Sequence, residues 1–269
     1  MTVELGILGA GNMAEAIARG VIRSGLLKPG NMLASDVSPD RRLLFVDALG
    51  VRAIDDNVEV AAQARAILLS VKPQHMAQVL SGIKERMRPD TLLISIAAGI
   101  STKLIETHLG DGVQWRVIRT MPNTPMLVGE GMVALSRGRH ATEQDATWAT
   151  KLFQAAADVI EVGEDKLDAV TAVSGSGPAY FFFLVEQMIR AATELGLTPE
   201  EARKLAVKTA VGAARMLSTS SDTPKELRRK VTSPGGTTQA AMTYLEGHDG
   251  AIIIAEAIKA AAARSRELS

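Results

Sequence analysis

Val3-Glu4-Leu5-Gly6-Ile7-Leu8-Gly9-Ala10-Gly11-Asn12-Met13-Ala14 is the stretch on which the fold turns. Its first six residues are a short apolar run of strand length, and the next six have the form G-x-G-x-x-A. Beyond them Ala14, Ile17, Ala18, Val21 and Ile22 recur at spacings of three and four, which makes one apolar face of a helix. A strand, a tight turn and a helix in that order form the opening unit of a dinucleotide-binding sheet. Each small residue has a geometric duty. Gly9 permits the turn, Gly11 lets backbone approach a pyrophosphate, and Ala14 lets helix and strand pack closely. The helix N-terminus offers amides and a positive dipole to the phosphates, so Gly9, Ala10, Gly11, Asn12 and Met13 are predicted cofactor contacts.

Working outward, further strands are predicted at Met32 to Ser35, Ala66 to Val71, Leu92 to Ile96 and Val117 to Thr120, separated by helical periodicity. The expected class is α/β: a mostly parallel, doubly wound sheet. The second strand ends at Ser35-Asp36, 22 residues after Ala14, where an acid for the cofactor ribose belongs. Asp36 favours the free 2′-hydroxyl of NAD(H) and repels a 2′-phosphate, while Ser35, Arg41 and Arg42 pull toward NADP(H) or form a solvated helix start. NADP(H) is the first expectation and NAD(H) the alternative. Val71-Lys72-Pro73-Gln74, Ala97-Ala98-Gly99 and Met121-Pro122-Asn123-Thr124-Pro125 follow later strands on the carboxyl edge, where open parallel sheets bind ligands. The small residues at 97 to 99 would let ribose and nicotinamide lie against backbone. Val71, Lys72, Pro73, Ala97, Ala98, Gly99 and Asn123 therefore join the predicted cofactor set. Lys72 reads as a hydrogen-bonding residue rather than a general acid.

Composition bounds the rest. The 269 residues carry 30 Lys+Arg against 30 Asp+Glu, so no net field draws the chain to nucleic acid. With no cysteine there is no disulfide framework or thiolate nucleophile, and a cytoplasmic location is expected. The longest uncharged run, Ala169 to Val185, is broken by Gly175, Gly177 and Pro178 and is shorter than the roughly 20 apolar residues of a membrane span. No membrane contact is expected, and the N-terminus lacks the layout of a signal peptide. His75, His108, His140 and His248 have no metal-ligand spacing, so no metal is predicted.

From about Glu164 the texture changes to long alanine- and leucine-rich helices, predicted at Ala179 to Leu195, Pro199 to Leu217 and Gly250 to Leu268. The predicted organisation is a Rossmann-type domain over 1–163 and an all-helical domain over 164–269. Such helices hold little aromatic core, so the second domain is expected to bury its apolar surface, Tyr180 and Phe181 to Phe183 included, against another copy. Ser174-Gly175-Ser176-Gly177-Pro178 and Thr232-Ser233-Pro234-Gly235-Gly236-Thr237-Thr238 each lead side-chain-poor backbone into a helix. Free amides there suit a carboxylate, with capping alone as the other reading. Lys225, Arg228, Arg229 and Lys230 read as a solvated helix face.

Taken together, these segments and Ala169-Val170-Thr171, in order along almost the whole chain, resemble the pyrroline-5-carboxylate reductase family. The resemblance implies reduction of the cyclic imine Δ1-pyrroline-5-carboxylate to L-proline by a nicotinamide cofactor, and a helical domain through which two subunits interlock, with larger rings in some members. It implies that Ser233, Gly235, Gly236, Thr237 and Thr238 hold the substrate carboxylate, that the Thr238 hydroxyl faces the ring nitrogen as the catalytic group, that Thr171 contacts substrate and that Asn57 contacts the cofactor ribose. Lys230 departs from the asparagine found in some members. Two rivals share the architecture. A β-hydroxyacid dehydrogenase would carry a helix lysine about four residues after a comparable glycine segment, where this chain has Phe181; a non-catalytic nucleotide binder would lack the intact Ser233 to Thr238 loop.

Overall fold

The computed structural model describes residues 3–267, which divide into two compact units, one of residues 3–176 with 261–267 and the other Gly177–Ala260. The first unit runs β1 (Val3–Leu8), α1 (Asn12–Arg23), β2 (Met32–Ser35), α2 (Pro39–Leu49), β3 (Arg52–Ile54), α3 (Asn57–Gln63), β4 (Ala64–Leu69), α4 (Met76–Ile83), β5 (Leu92–Ser95) and α5 (Thr102–Leu109). It continues with β6 (Arg116–Pro122), β7 (Gly131–Arg137), α6 (Glu143–Gln154), β8 (Ala157–Glu161) and the short α7 (Leu167–Val170). The strands form one sheet in the order β3-β2-β1-β4-β5-β6-β7-β8, parallel throughout except where β7 runs antiparallel to β6.

Period-two alternation sorts the strand side chains onto two cores. Leu5, Ile7, Leu68 and Ile94 pack with Ile17 of α1, Phe45 of α2 and Phe153 of α6. Leu8, Ile67, Leu69 and Leu93 pack with Val60 of α3, Leu80 of α4 and Ile105 of α5. The sheet is thus covered on both faces, which is why its central strands read as unbroken apolar runs. Strand order reverses between β1 and β4, and the crevice beyond their carboxyl ends is the position that positions a ligand.

Three strands carry no signal that the sequence reading used. β3 is three residues long and starts on exposed Arg52; β8 is an edge strand bearing Asp158 and Glu161; β7 returns from β6 through a single 3-10 turn, Thr124–Val128. β4 begins and ends two residues earlier than predicted, which releases Ser70 and Val71 into the loop.

Beyond α7 the chain does not open into the glycine loop expected at Ser174 to Pro178. It continues through a π-helical turn, Thr171–Gly175, closed by Ser176 N–H on the Thr171 carbonyl at 2.8 Å. A Cβ on Gly175 would stand 2.5 Å from Met121 Cε, so the Met121 side chain packs over the glycine.

The second unit holds α8 (Gly177–Glu194), α9 (Pro199–Thr219), α10 (Pro224–Lys230), α11 (Thr237–Gly247) and most of α12 (Gly250–Glu267), whose residues 261–267 belong to the first. Leu268, the last residue of the predicted final helix, lies outside the described residues. Thr198 and Glu201 close a capping box on α9, and Thr223 and Glu226 close one on α10. Among the described residues of this unit only Ala202 and Ala206 are buried apolar side chains, whereas Phe181 to Phe183 and Ile252 to Ile254 are each at least 60% exposed. Aromatic and branched side chains in that state are the surface of a helical unit that completes its core against a partner. Among the described residues no helix is long and apolar enough to cross a membrane.

Candidate functional site

The glycine turn is built as its residue types demand. Gly9 has φ +95°, and a Cβ there would lie 2.8 Å from the Ser70 carbonyl oxygen, so β1 and the end of β4 can meet only with hydrogen at that position. Gly11 stands just before α1 with no side-chain cap, and a Cβ on it would meet nothing within 4 Å. An uncapped helix N-terminus therefore faces open space, where free amides and the helix dipole favour an anion.

That space is a cavity of about 650 Å³. Of the predicted cofactor residues, Gly9, Gly11, Ser35, Asp36, Asn57, Val71 and Lys72 line it. Ser35 is fully buried and donates from Oγ to Asn57 Oδ1 at 2.6 Å, joining the end of β2 to the start of α3. Asp36 accepts the amides of Ala10 and Ser38, each at 2.8 Å, so its carboxylate braces the glycine turn from behind. Arg41 donates from Nε to the Ala10 carbonyl at 2.6 Å and pairs with Glu15 at 2.9 Å; Arg42 donates to the carbonyls of Asp36 and Val37. Burial pushes the Glu15 carboxyl up, but hydrogen bonds from Arg41 and Arg19 outweigh it and hold Glu15 below the usual carboxylate range.

The other predicted cofactor residues stand outside this lining. Ala10 is fully buried with both backbone groups engaged. Asn12 and Met13 open α1, and Pro73 opens a one-turn 3-10 helix. Ala97 is buried, its amide on Ser95 Oγ, and it is followed by Ala98 and by Gly99 at φ +74°. Asn123, just past β6, spends its amide on protein groups. His75, Gln78, Val79 and Gly82, beyond the segment that ends at Gln74 and absent from the predicted set, also line the cavity. Their spacing of three, one and three is a helix face, and that period was the signal available.

In the second unit, Ser233 to Gly236 make a tight turn with Gly235 at φ +73° and the Gly236 amide on the Ser233 carbonyl at 3.0 Å. The Gly235 amide donates to the Gln239 side chain. α11 then starts at Thr237 with no side-chain cap, and Thr238 is half-buried in its first turn. Lys230 pairs with Asp222, and Arg228 with Glu246 at 3.5 Å, as expected of a solvated face. Thr171 lies in the first unit on the π-turn, its hydroxyl donating to the Leu167 carbonyl at 2.8 Å.

Residues 164–268 match the family described as pyrroline-5-carboxylate reductase dimerisation, and residues 4–99 match NADP oxidoreductase coenzyme F420-dependent. A pyrroline-5-carboxylate reductase of Arabidopsis thaliana is 40% identical over 266 residues, covering 99% of this chain and 95% of the relative. The chain belongs to the pyrroline-5-carboxylate reductase family. Solved pyrroline-5-carboxylate reductase structures agree. That of Coxiella burnetii has a TM-score of 0.90 at 36% identity, covering 100% of this chain and 99% of its own. The Plasmodium falciparum structure, with NADP bound, has a TM-score of 0.88 at 28% identity, covering 99% and 98%. Family membership makes the chain a nicotinamide-nucleotide-dependent oxidoreductase, and the dimerisation match accords with the apolar side chains that the helical unit exposes.

Proposed function

We propose that this chain reduces the C=N bond of Δ1-pyrroline-5-carboxylate to give L-proline, the last step of proline synthesis. The observation that carries the reading is the uncapped N-terminus of α1 opening on the cavity at Gly11, in a chain that keeps the Ser233 to Thr238 loop intact. When bound, the nicotinamide cofactor supplies hydride to the electrophilic imine carbon. Gly9, Gly11, Asn12 and Met13 would hold its phosphates, Ser35, Asp36 and Asn57 its ribose, and Val71, Lys72, Pro73, Ala97, Ala98 and Gly99 its remaining length. The Ser233–Thr238 loop takes the substrate carboxylate at the uncapped start of α11, on first-turn amides and helix dipole, and Thr171 adds a polar contact. Thr238 orients the proton at the ring nitrogen. A protonated imine is already a good hydride acceptor, so positioning is most of the task and no strong base is called for.

The decisive measurement is nicotinamide oxidation with Δ1-pyrroline-5-carboxylate, in parallel with NADPH and NADH. Turnover is expected; folded protein that binds cofactor and leaves the imine untouched would overturn the reading.

NADPH is the proposed preferred donor, supported by the NADP-bound relative and by Arg42 near the start of α2, whose guanidinium reaches the Asp36 carbonyl. Asp36 limits that preference. Asp36→Asn removes one negative charge, keeps an oxygen for the Ala10 amide at the expense of the Ser38 amide, and is expected to raise the NADPH:NADH ratio of kcat/KM about tenfold, or about 1.4 kcal/mol. An unchanged ratio would place the 2′-position away from Asp36.

The proposed assembly is a homodimer or a larger ring of dimers. Phe182→Glu puts a charge on the exposed aromatic run and is expected to shift the full chain toward monomer in sedimentation velocity. A wild-type chain that sediments only as monomer would remove self-association from the account.

A further inference from the structure

We propose that Asn123 is a positioning residue that locks the π-turn Thr171–Gly175 to the carboxyl end of β6, rather than a contact to the cofactor. The inference rests on the reading above in which Thr171 faces the substrate.

The side-chain amide of Asn123 is read from both ends. Its Nδ2 lies 3.2 Å from the carbonyl oxygen of Ser174 and 3.2 Å from the Ser174 hydroxyl, while its Oδ1 accepts the backbone N–H of Met132 at 2.9 Å. One group must therefore donate on one side and accept on the other, which a carboxylate, a hydrocarbon or an ammonium cannot do. The orientation of the amide is fixed by backbone partners of opposite polarity rather than by a mobile side chain. Three elements meet at this one residue: the end of β6, the start of β7 and the π-turn.

A second contact joins the same two places. Met121 Cε lies 2.5 Å from the position a Cβ on Gly175 would take, so the end of the Met121 side chain packs against the turn beside Asn123. The turn needs such support. A π-helical turn is a wide, rarely populated geometry, and this one is closed by Ser176 N–H on the Thr171 carbonyl. The Thr171 hydroxyl gives its hydrogen to Leu167, which leaves its lone pairs as the polar feature it can offer a ligand. A slack π-turn would move that oxygen, and small misplacements at a reacting centre cost on the order of 10²-fold in rate.

The test uses the full chain with Asn123→Asp, Asn123→Leu and Ser174→Ala, reading imine kcat and KM, NADPH Kd by fluorescence, and hydrogen exchange at the Ser176 amide. Asn123→Asp is expected to lower kcat/KM for the imine at neutral pH by about tenfold or more with cofactor Kd within about twofold. Ionised, it sets a carboxylate against the Ser174 carbonyl. As pH falls through the carboxylate range the acid regains an O–H donor, so activity relative to wild type should recover, which Asn123→Leu does not do at any pH. Ser174→Ala keeps the carbonyl and should lose less, and added to Asn123→Leu it should cost little more. Exchange at Ser176 should quicken in Asn123→Leu whatever the substrate. Cofactor Kd rising about tenfold with exchange unchanged would overturn the proposal and make Asn123 a cofactor contact. Wild-type protein inert toward the imine would overturn the functional reading alone, because the exchange result still decides the lock.

Discussion

Gly11→Val is expected to leave the chain folded and to cut cofactor affinity at least about 100-fold, or about 2.7 kcal/mol. Nothing lies within 4 Å of the position a Cβ would take there, so a branched side chain meets no protein atom and instead fills the mouth of the α1 N-terminus. Backbone with no side chain is what a pyrophosphate needs at that point. The neighbouring change behaves in the opposite way. At Gly9 a Cβ collides with the Ser70 carbonyl at 2.8 Å in a backbone of φ +95°, so Gly9→Ala should lower Tm before binding is in question. Thermal scans and fluorescence titration of both variants separate the effects. Affinity unaltered in folded Gly11→Val would mean that the phosphates lie elsewhere.

Thr238→Ala should lower imine turnover by about 10²-fold, the low end of what a positioned proton-transferring group contributes, while cofactor Kd stays within about twofold. Thr238 is half-buried in the first turn of an uncapped helix, so losing its hydroxyl removes no cap, and the fold should survive. Thr238→Ser keeps the hydroxyl and is expected to restore most of the rate. A Thr238→Ala variant with wild-type kcat would take Thr238 out of the mechanism and leave substrate holding to the loop backbone.

The candidate cofactor site was legible where chemistry is local. Gly9 stands out because its φ of +95° and the nearby Ser70 carbonyl admit only glycine, Gly11 because a missing side chain leaves the α1 N-terminus open, and Asp36 by its distance from them. Ser35 and Asn57 are 22 residues apart, and only their hydrogen bond shows that one holds the other against the cavity. Asp36 was read as a ribose ligand, yet its two backbone amides also make it a brace, a role with no sequence mark. Arg41 and Arg42 looked like free cations; each is engaged on backbone carbonyls, and Arg41 on Glu15 as well, because loop and helix start lie side by side. The glycines at 175 and 177 signalled a loop. The segment is instead a π-turn with Met121 packed against Gly175, since a missing side chain serves close approach as well as it serves a bend.

Order along the chain was enough to reach the class of fold, the glycine turn and the helical second half, because strand period, helix period and glycine's freedom are properties of neighbouring residues. Three matters belong to the folded molecule: the reversal of strand order between β1 and β4, the meeting of His75, Gln78, Val79 and Gly82 with Gly9, Ser35 and Asn57 around one cavity, and the double use of Asn123. Each joins residues far apart in the chain, and the free energy that brings them together is burial on both faces of the sheet, a sum over the whole unit that no short stretch contains.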